Sequence, residues 1–284
     1  MLKFICAIAV LLVVILVAAS KTFRGSTRRD SVASPGQPGT SHVVSASDAA
    51  IRSLCLASIL ARTNLEYEAK SQETHAPNGD VDRIFQKNQR QGMENMGLWS
   101  ALSSRERALM KKPVGSWSTQ DIADGQWRAE ALRALLWALK SFPSFPPYDE
   151  QAPIGAVTAV LPPPDKCQRF ISNAALRDDN DIARARSIAE LWLWRARTTQ
   201  LQMSGATPPE GWTFEKIISV TAEWARKEQF FSPIDQDFPA LNKPYSKLSE
   251  DEWRTVHSIA QERLYALNWL CKYADDWDAV PTGT

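Results

Sequence analysis

Glu130-Ala-Leu-Arg-Ala-Leu-Leu-Trp-Ala-Leu-Lys140 and Glu262-Arg-Leu-Tyr-Ala-Leu-Asn-Trp-Leu-Cys-Lys272 are two stretches that share six residues at identical offsets. Their apolar residues recur at steps of three and four, which predicts a helix for each stretch. On a helix such residues lie side by side, so Glu130 and Glu262 each fall on an apolar face. A carboxylate is costly to bury there unless a partner satisfies its charge. The two stretches therefore predict two core helices, each with an acid that needs a basic partner.

Two interpretations of these glutamates remain open. In the structural one, each carboxylate pairs with an arginine (Arg128, Arg177, Arg195 or Arg263) and stabilises helix packing. In the functional one, crossing helices bring the two acids together for proton transfer or cation binding. Asn268, which lies between two apolar stripes, either satisfies backbone groups or binds a ligand. The structural interpretation is favoured, and the candidate polar cluster consists of Glu130, Arg128, Arg177, Glu262, Arg263 and Asn268.

The composition is that of a globular protein of one or two domains. The chain has 284 residues, of which 44% are hydrophobic and 23% charged, and its 11 Trp residues fall mostly in amphipathic runs. The net charge is +1, but the basic excess lies in residues 1–47 and leaves the remainder mildly acidic. Because phosphate binding needs a basic face, nucleic acid is not expected as a partner.

The leading segment predicts a membrane anchor. Residues 4–19 form an unbroken apolar or small run that spans roughly 24 Å as a helix, slightly short of a bilayer core. More basic residues follow the run than precede it, which favours a single-pass anchor with the body in the cytoplasm. A signal peptide cleaved near Val17-Ala18-Ala19, with a periplasmic body, is the alternative, and a buried helix is a third. Residues 1–20 are thus the anchor or signal peptide, and Ser-, Gly- and Pro-rich residues 21–47 are a flexible linker.

The body, residues 48–284, is predicted to be all-α, a single compact multi-helix domain. Capping boxes at Ser103 and Ser249 mark two helix starts, and Pro-rich stretches at 143–153 and 162–164 interrupt the chain. Between these stretches residues 154–161 could be extended. Further helices are expected over residues 51–61, 81–102, 182–203 and 214–230.

Several motifs together resemble the bacterial family known as domain of unknown function 4272. The resemblance covers most of residues 50–284 and implies a compact, mainly helical domain, with no activity, cofactor or substrate attached. This chain departs from the pattern at Leu264, where members carry His, and at Gly283, where they carry Asp. The motifs are Trp127-Arg-Ala-Glu-Ala-Leu-Arg-Ala-Leu-Leu-Trp-Ala-Leu139, Asp237-Phe-Pro-Ala240, Lys243-Pro-Tyr245, Ser258-Ile-Ala-Gln-Glu-Arg263, Ala266-Leu-Asn-Trp-Leu270 and Trp277-Asp278.

Familiar catalytic patterns are absent from the sequence. His75 and His257 are the only histidines of the body, the four cysteines are scattered, and no phosphate-binding Gly loop or nucleophile elbow occurs. No cofactor or metal is therefore expected. The leading hypothesis is a membrane-tethered binding or interaction module, with an unidentified protein as its partner. The alternatives are an enzyme that uses Glu130 or Glu262 with nearby Arg and Asn, and a secreted periplasmic protein.

Overall fold

The computed structural model describes residues 43–71 and 79–283, and this part of the chain is almost entirely helical. The predicted all-α class is confirmed. The anchor and nearly all of the linker, residues 1–42, lie outside the described residues, as do residues 72–78. The helices are α1 (Ala46–Ser71), α2 (Gly79–Asn95), α3 (Leu98–Ala101), α4 (Ser104–Lys111), α5 (Thr119–Ala138), α6 (Ile154–Ala159), α7 (Cys167–Ser172), α8 (Asp179–Met203), α9 (Phe214–Lys227) and α10 (Glu250–Leu270).

The fold is organised by the packing of its four longest helices, α1, α5, α8 and α10. Helix α5 packs against both α1 and α10, and α10 also packs against α8. A short antiparallel hairpin, β1 (Pro239–Ala240) and β2 (Lys243–Pro244), connects α9 to α10. Among the helices of the described ranges, none is both long enough and apolar enough to cross a membrane.

The hydrophobic core divides into two clusters, which lie on either side of α1. The larger one surrounds α5, α8 and α10 and contains most of the buried aromatic residues. The smaller one joins α1 to α3, α4 and α7 through residues such as Cys55, Leu98 and Trp117. The sequence pattern did not reveal this second cluster.

Helices α1 and α5 approach each other closely at Gly125. A Cβ atom at this position would collide with the hydroxyl group of Thr63 on α1. Thr63 is itself fully buried and donates its hydroxyl to the carbonyl of Ile59. Glycine at 125 is therefore required by the distance between the two backbones.

The two repeated stretches form the ends of α5 and α10, and both helices end in the same way. Lys140 and Lys272, the last shared residues, have left-handed backbone conformations with φ of 64° and 57°. The Lys140 N–H donates to the carbonyl of Trp137, and Lys272 donates likewise to Trp269. The following residue in each case donates to a carbonyl five positions back. These are two Schellman motifs with lysine at the position that glycine usually occupies.

Three helices begin next to a serine whose side chain caps the first turn. The predicted boxes are present at Ser103, which accepts from the N–H of Glu106, and at Ser249, which accepts from Glu252. A third box, in which Ser118 caps α5, was missed, although the sequence Ser118-Thr-Gln-Asp121 contains its signal.

Two predicted helices and one segment that could have been extended differ most from the structure. The helix expected over residues 51–61 extends over the whole of α1. The helix expected over 81–102 is interrupted near Gly97, whose φ of 73° is left-handed. The segment that could have been extended is helix α6 instead, and here the prediction was wrong. Pro153 immediately precedes the first helical residue, a place where proline is compatible with a helix start. Val157 packs into the larger core, and a helical turn buries this side chain on one side.

Candidate functional site

The two glutamates form reciprocal ion pairs across the contact between α5 and α10. Glu130 of α5 pairs with Arg263 of α10, while Arg128 of α5 pairs with Glu262 of α10. Each helix therefore contributes one acid and one base. Each carboxylate is hydrogen-bonded to its own arginine and not to the other carboxylate, so the two do not form an acid dyad.

The Glu130–Arg263 pair is fully buried and fully hydrogen-bonded. Glu130 is 2% exposed and Arg263 0%. Glu130 Oε2 accepts from Arg263 Nε at 2.9 Å, and Oε1 accepts from the Ala152 N–H at 2.6 Å. Arg263 Nη1 also donates to the carbonyls of Pro146 and Pro147. The pair thus fixes the segment between α5 and α6 against α10.

The Arg128–Glu262 pair lies closer to solvent. Arg128 Nη1 donates to both carboxylate oxygens of Glu262, at 3.2 and 2.9 Å. The side chains remain 27% and 13% exposed, and the guanidinium lies over the ring of Tyr265. Burial raises the pKa of the Glu262 carboxyl group above its usual value, although Arg128 opposes this effect.

The other predicted residues lie elsewhere. Arg177 donates to the carbonyls of Trp137, Phe142 and Pro143 and so satisfies the end of α5, not a glutamate. Asn268 accepts from Arg186 Nε and donates to the carbonyl of Pro281. Both side chains have protein partners and are not directed at a ligand.

Arg195, the remaining candidate partner, pairs with Asp237 beside the hairpin. Its Nε and Nη2 donate to the two oxygens of Asp237 at 2.7 and 2.8 Å, and the guanidinium is 0% exposed. The carboxylate also accepts from the N–H groups of Phe238 and Ser246. Burial alone would raise the pKa of Asp237, but these donors together hold it below its usual value. Sequence reasoning missed this site because residues 195 and 237 belong to separate elements.

A concave surface rich in aromatic residues, here called the aromatic cleft, adjoins the Glu130–Arg263 pair, because Pro146 and Pro147 of its lining accept hydrogen bonds from Arg263. Its volume is about 490 Å³. Helix α8 contributes residues at helical spacing to one wall, and the loop after α5, the segment after α9 and the hairpin form the others. Trp192 stacks on Tyr148 with ring centroids 5.2 Å apart. The lining residues are Trp137, Phe145, Pro146, Pro147, Tyr148, Asp149, Asp181, Arg184, Ala185, Ile188, Trp192, Phe230, Phe231, Ile234, Pro239 and Asn242.

Few polar groups line the cleft, and two of them, Asp149 and Arg184, are hydrogen-bonded to other parts of the protein. Asp149 Oδ2 accepts from the Leu241 N–H at 2.7 Å, which attaches the hairpin to the opposite wall. Arg184 Nη2 donates to the carbonyl groups at the end of α9 and lies over the ring of Phe230. The Tyr148 hydroxyl is buried, and burial raises its pKa. Within the described residues this hydroxyl has no hydrogen-bond partner.

A second concavity, here called the polar cavity, lies beside the Arg128–Glu262 pair. It has a volume of about 360 Å³ and is bounded by α1, α4, α5 and α10 and by the turn near the carboxyl end. Burial raises the pKa of Tyr265 on its wall to about 12. The lining residues are Ile59, Arg105, Glu106, Ala108, Leu109, Lys112, Trp117, Asp121, Asp124, Gly125, Arg128, Tyr265, Trp277 and Asp278.

Metal-ligating side chains are not clustered in the part of the chain that the structure describes. No group of three or more His, Cys, Asp or Glu residues there could hold a metal ion. Cys55 is completely buried, and burial raises the pKa of its thiol to about 11. Such a thiol is neutral at physiological pH and packs as a small hydrophobic group.

Comparison with known proteins identifies a family and nothing closer. Searches of the curated proteins and of the solved structures gave no match. A family model, Domain of unknown function (DUF4272), matches residues 24–215, which is more than half of the chain. The Trp127–Leu139 motif lies inside this match, and the motifs from Asp237 onward lie beyond it. The chain belongs to the DUF4272 family.

Proposed function

We propose that this protein is a binding module and that the aromatic cleft is its ligand site. The supporting observation is the cleft itself, a concavity of about 490 Å³ whose walls are mostly aromatic or aliphatic. Sites for small molecules have this character, with an apolar lining and a small number of polar groups that orient the ligand. The ligand is therefore a small molecule with an aromatic or apolar body.

The polar groups of the cleft suit orientation rather than chemistry. The buried Tyr148 hydroxyl can donate one hydrogen bond to a ligand, and the exposed Arg184 and Asp181 stand at the rim. Each unsatisfied buried hydroxyl costs about 1–3 kcal/mol, which a ligand acceptor would recover. Recovery of this energy favours ligands that combine an apolar body with one acceptor.

The two glutamates are poorly placed for catalysis. Neither Glu130 nor Glu262 lines the aromatic cleft or the polar cavity. Each already accepts hydrogen bonds from an arginine, and Glu130 also accepts from the backbone. A general acid or base must reach its substrate within hydrogen-bond distance. The buried position of Glu130 therefore supports a structural role.

Binding can be tested by filling the cleft. Ligand-observed NMR with indole as the probe should show binding to the wild-type protein. Ile188, half-buried on the α8 wall, is changed to Trp so that the new indole occupies the cleft. The matched control is Ile84→Trp, since Ile84 is 59% exposed on α2. Indole should bind the control and not the Ile188→Trp variant. Equal binding to both variants, or no binding to the wild type, would refute the assignment.

We also propose that residues 4–19 attach this module to a membrane, with the helical body in the cytoplasm. The proposal rests on the apolar run and on the basic residues that follow it. A reporter active only in the cytoplasm, fused after residue 284, should be active, and removal of residues 1–20 should release the protein from the membrane fraction. An inactive reporter, or recovery of a cleaved soluble form, would support periplasmic export instead.

A further inference from the structure

A buried carboxylate oxygen at the polar cavity has no partner. Glu106 is 7% exposed, and its Oε2 accepts from Arg52 Nη2 at 2.5 Å and from the Ser103 N–H at 2.9 Å. Its Oε1 accepts no hydrogen bond within the described residues. An acceptor buried without a donor is unfavourable and is rare in folded proteins. The orphan oxygen therefore indicates a missing donor.

The position of Glu106 shows from which side a donor would come. Both partners of Oε2, Arg52 and Ser103, line a neighbouring cavity that Glu106 itself does not line. Glu106 instead lines the polar cavity. Because Oε2 is satisfied by residues of the neighbouring cavity, a further donor to the carboxylate would come from the polar cavity, which Glu106 lines.

The charges around the polar cavity favour a cation. Two basic residues of the lining are already paired: Lys112 with Asp121, and Arg128 with Glu262, which does not itself line the cavity. Within the described residues no ion pair is formed by the remaining charged lining residues, which are Asp124, Asp278 and Arg105. Asp278 accepts from the backbone N–H of Arg105 and Asp124 from Gln120, so neither carboxylate is neutralised by a basic side chain in the described part of the chain, and the three charges sum to one negative charge.

The apolar part of the wall favours an alkyl chain next to that cation. Leu109, Trp277 and Ile59 line the cavity, and the rings of Trp277 and Tyr265 form a T-shaped pair with centroids 4.9 Å apart. A volume of about 360 Å³ suits a small molecule and not a folded segment.

We propose that the polar cavity binds a small alkyl cation with N–H donors, a guanidinium or an ammonium, which donates to Glu106 Oε1 and packs its chain against Leu109 and Trp277. This site is separate from the aromatic cleft, and its ligand is recognised by charge and hydrogen bonding. Neither site depends on the other.

Isothermal titration calorimetry with three probes tests the chemistry. The cation is n-butylguanidinium, n-butylurea is its neutral counterpart of the same shape, and valerate is an anion of similar size. A charge-assisted hydrogen bond contributes about 1.5–3 kcal/mol, so n-butylguanidinium should bind at least about tenfold more tightly than n-butylurea. Valerate should not bind. Equal affinity for the cation and the urea, or no heat with the cation at millimolar concentration, would overturn the proposal.

Charge variants locate the site. Glu106→Gln keeps the size of the side chain and can still form the capping box, and it should weaken n-butylguanidinium binding about tenfold or more. Asp124→Asn, at an exposed position on the rim, should weaken it by roughly two- to fivefold. The control Glu210→Gln, on the surface away from the cavity, should leave affinity unchanged. Unchanged binding in Glu106→Gln would place the cation elsewhere.

A steric variant keeps the test decisive if Glu106→Gln does not fold. Ala108 is exposed on α4 and lines the polar cavity, so Ala108→Trp should obstruct it and abolish binding of the cation. Ala183→Trp, an exposed alanine on α8 outside both concavities, is the control. Ile188→Trp, which fills the aromatic cleft, should bind the cation as the wild type does. Binding that survives Ala108→Trp would refute the site and leave the cleft proposal intact.

Discussion

The two reciprocal ion pairs predict unequal effects of the same substitution. Glu130→Gln removes a charge from a pair in which neither side chain exceeds 3% exposure. Arg263 would then be buried without a counter-charge beside Arg133, whose pKa burial and Arg263 already lower to about 10. Breaking such a buried pair costs about 3–5 kcal/mol. For a body of this size the loss corresponds to a fall in Tm of roughly 6–20 °C.

Glu262→Gln should cost much less. Its side chain is 13% exposed and that of Arg128 is 27% exposed, so water can solvate the arginine that remains. A cost of about 1 kcal/mol, or roughly 2–4 °C in Tm, is expected.

Thermal unfolding of the full chain, followed by far-ultraviolet circular dichroism, measures the difference. Glu68→Gln, at an exposed position on α1, is the control and should leave Tm unchanged. A fall in Tm for Glu130→Gln that is no larger than the fall for Glu262→Gln would refute the reasoning from burial. It would show that the buried pair is solvated or compensated in the folded protein.

Three further outcomes are expected. Gly125→Ala should destabilise the protein to urea by about 1–3 kcal/mol, because the new methyl group collides with α1, whereas Gly155→Ala meets open space and should not. Asp237→Asn should cost about 3–5 kcal/mol and speed proteolysis at the hairpin; an unchanged cleavage rate would contradict this. The pKa of Glu252 is held at about 2 by Lys243, so the stability it contributes above its usual pKa should fall toward pH 2, and Glu252→Gln should remove that part of the profile of Tm against pH.

Local signals predicted much of the fold. The periodicity of apolar residues located the long helices, and the Ser103 and Ser249 boxes gave two starts to the residue. These features depend on residues within one or two turns of each other, so they can be seen in a single sequence. The repeat at Glu130 and Glu262 likewise indicated that each acid needs a base.

Long-range partners could not be predicted in the same way. Arg263 had been one of four candidate arginines, and only the crossing of α5 and α10 selects it for Glu130. The aromatic cleft draws its walls from four separate parts of the chain, and the local pattern marks Glu106 only as the third residue of the capping box at Ser103. The helical conformation of α6 was also missed, because it depends on where Val157 is buried and not on local pattern.

The reciprocal pairs also fix how α5 and α10 are aligned. Their facing surfaces are rich in Ala and Leu, and such surfaces tolerate more than one sliding position. A slip of one helical turn displaces each residue by about 5.4 Å and would separate both pairs at once, leaving four charges unmatched. Because a buried ion pair contributes little net stability but is costly to break, we infer that the Glu130–Arg263 pair acts mainly to exclude the wrong register. A substitution that reverses the charge of one member of a pair would therefore need the opposite reversal of charge at its partner on the facing helix.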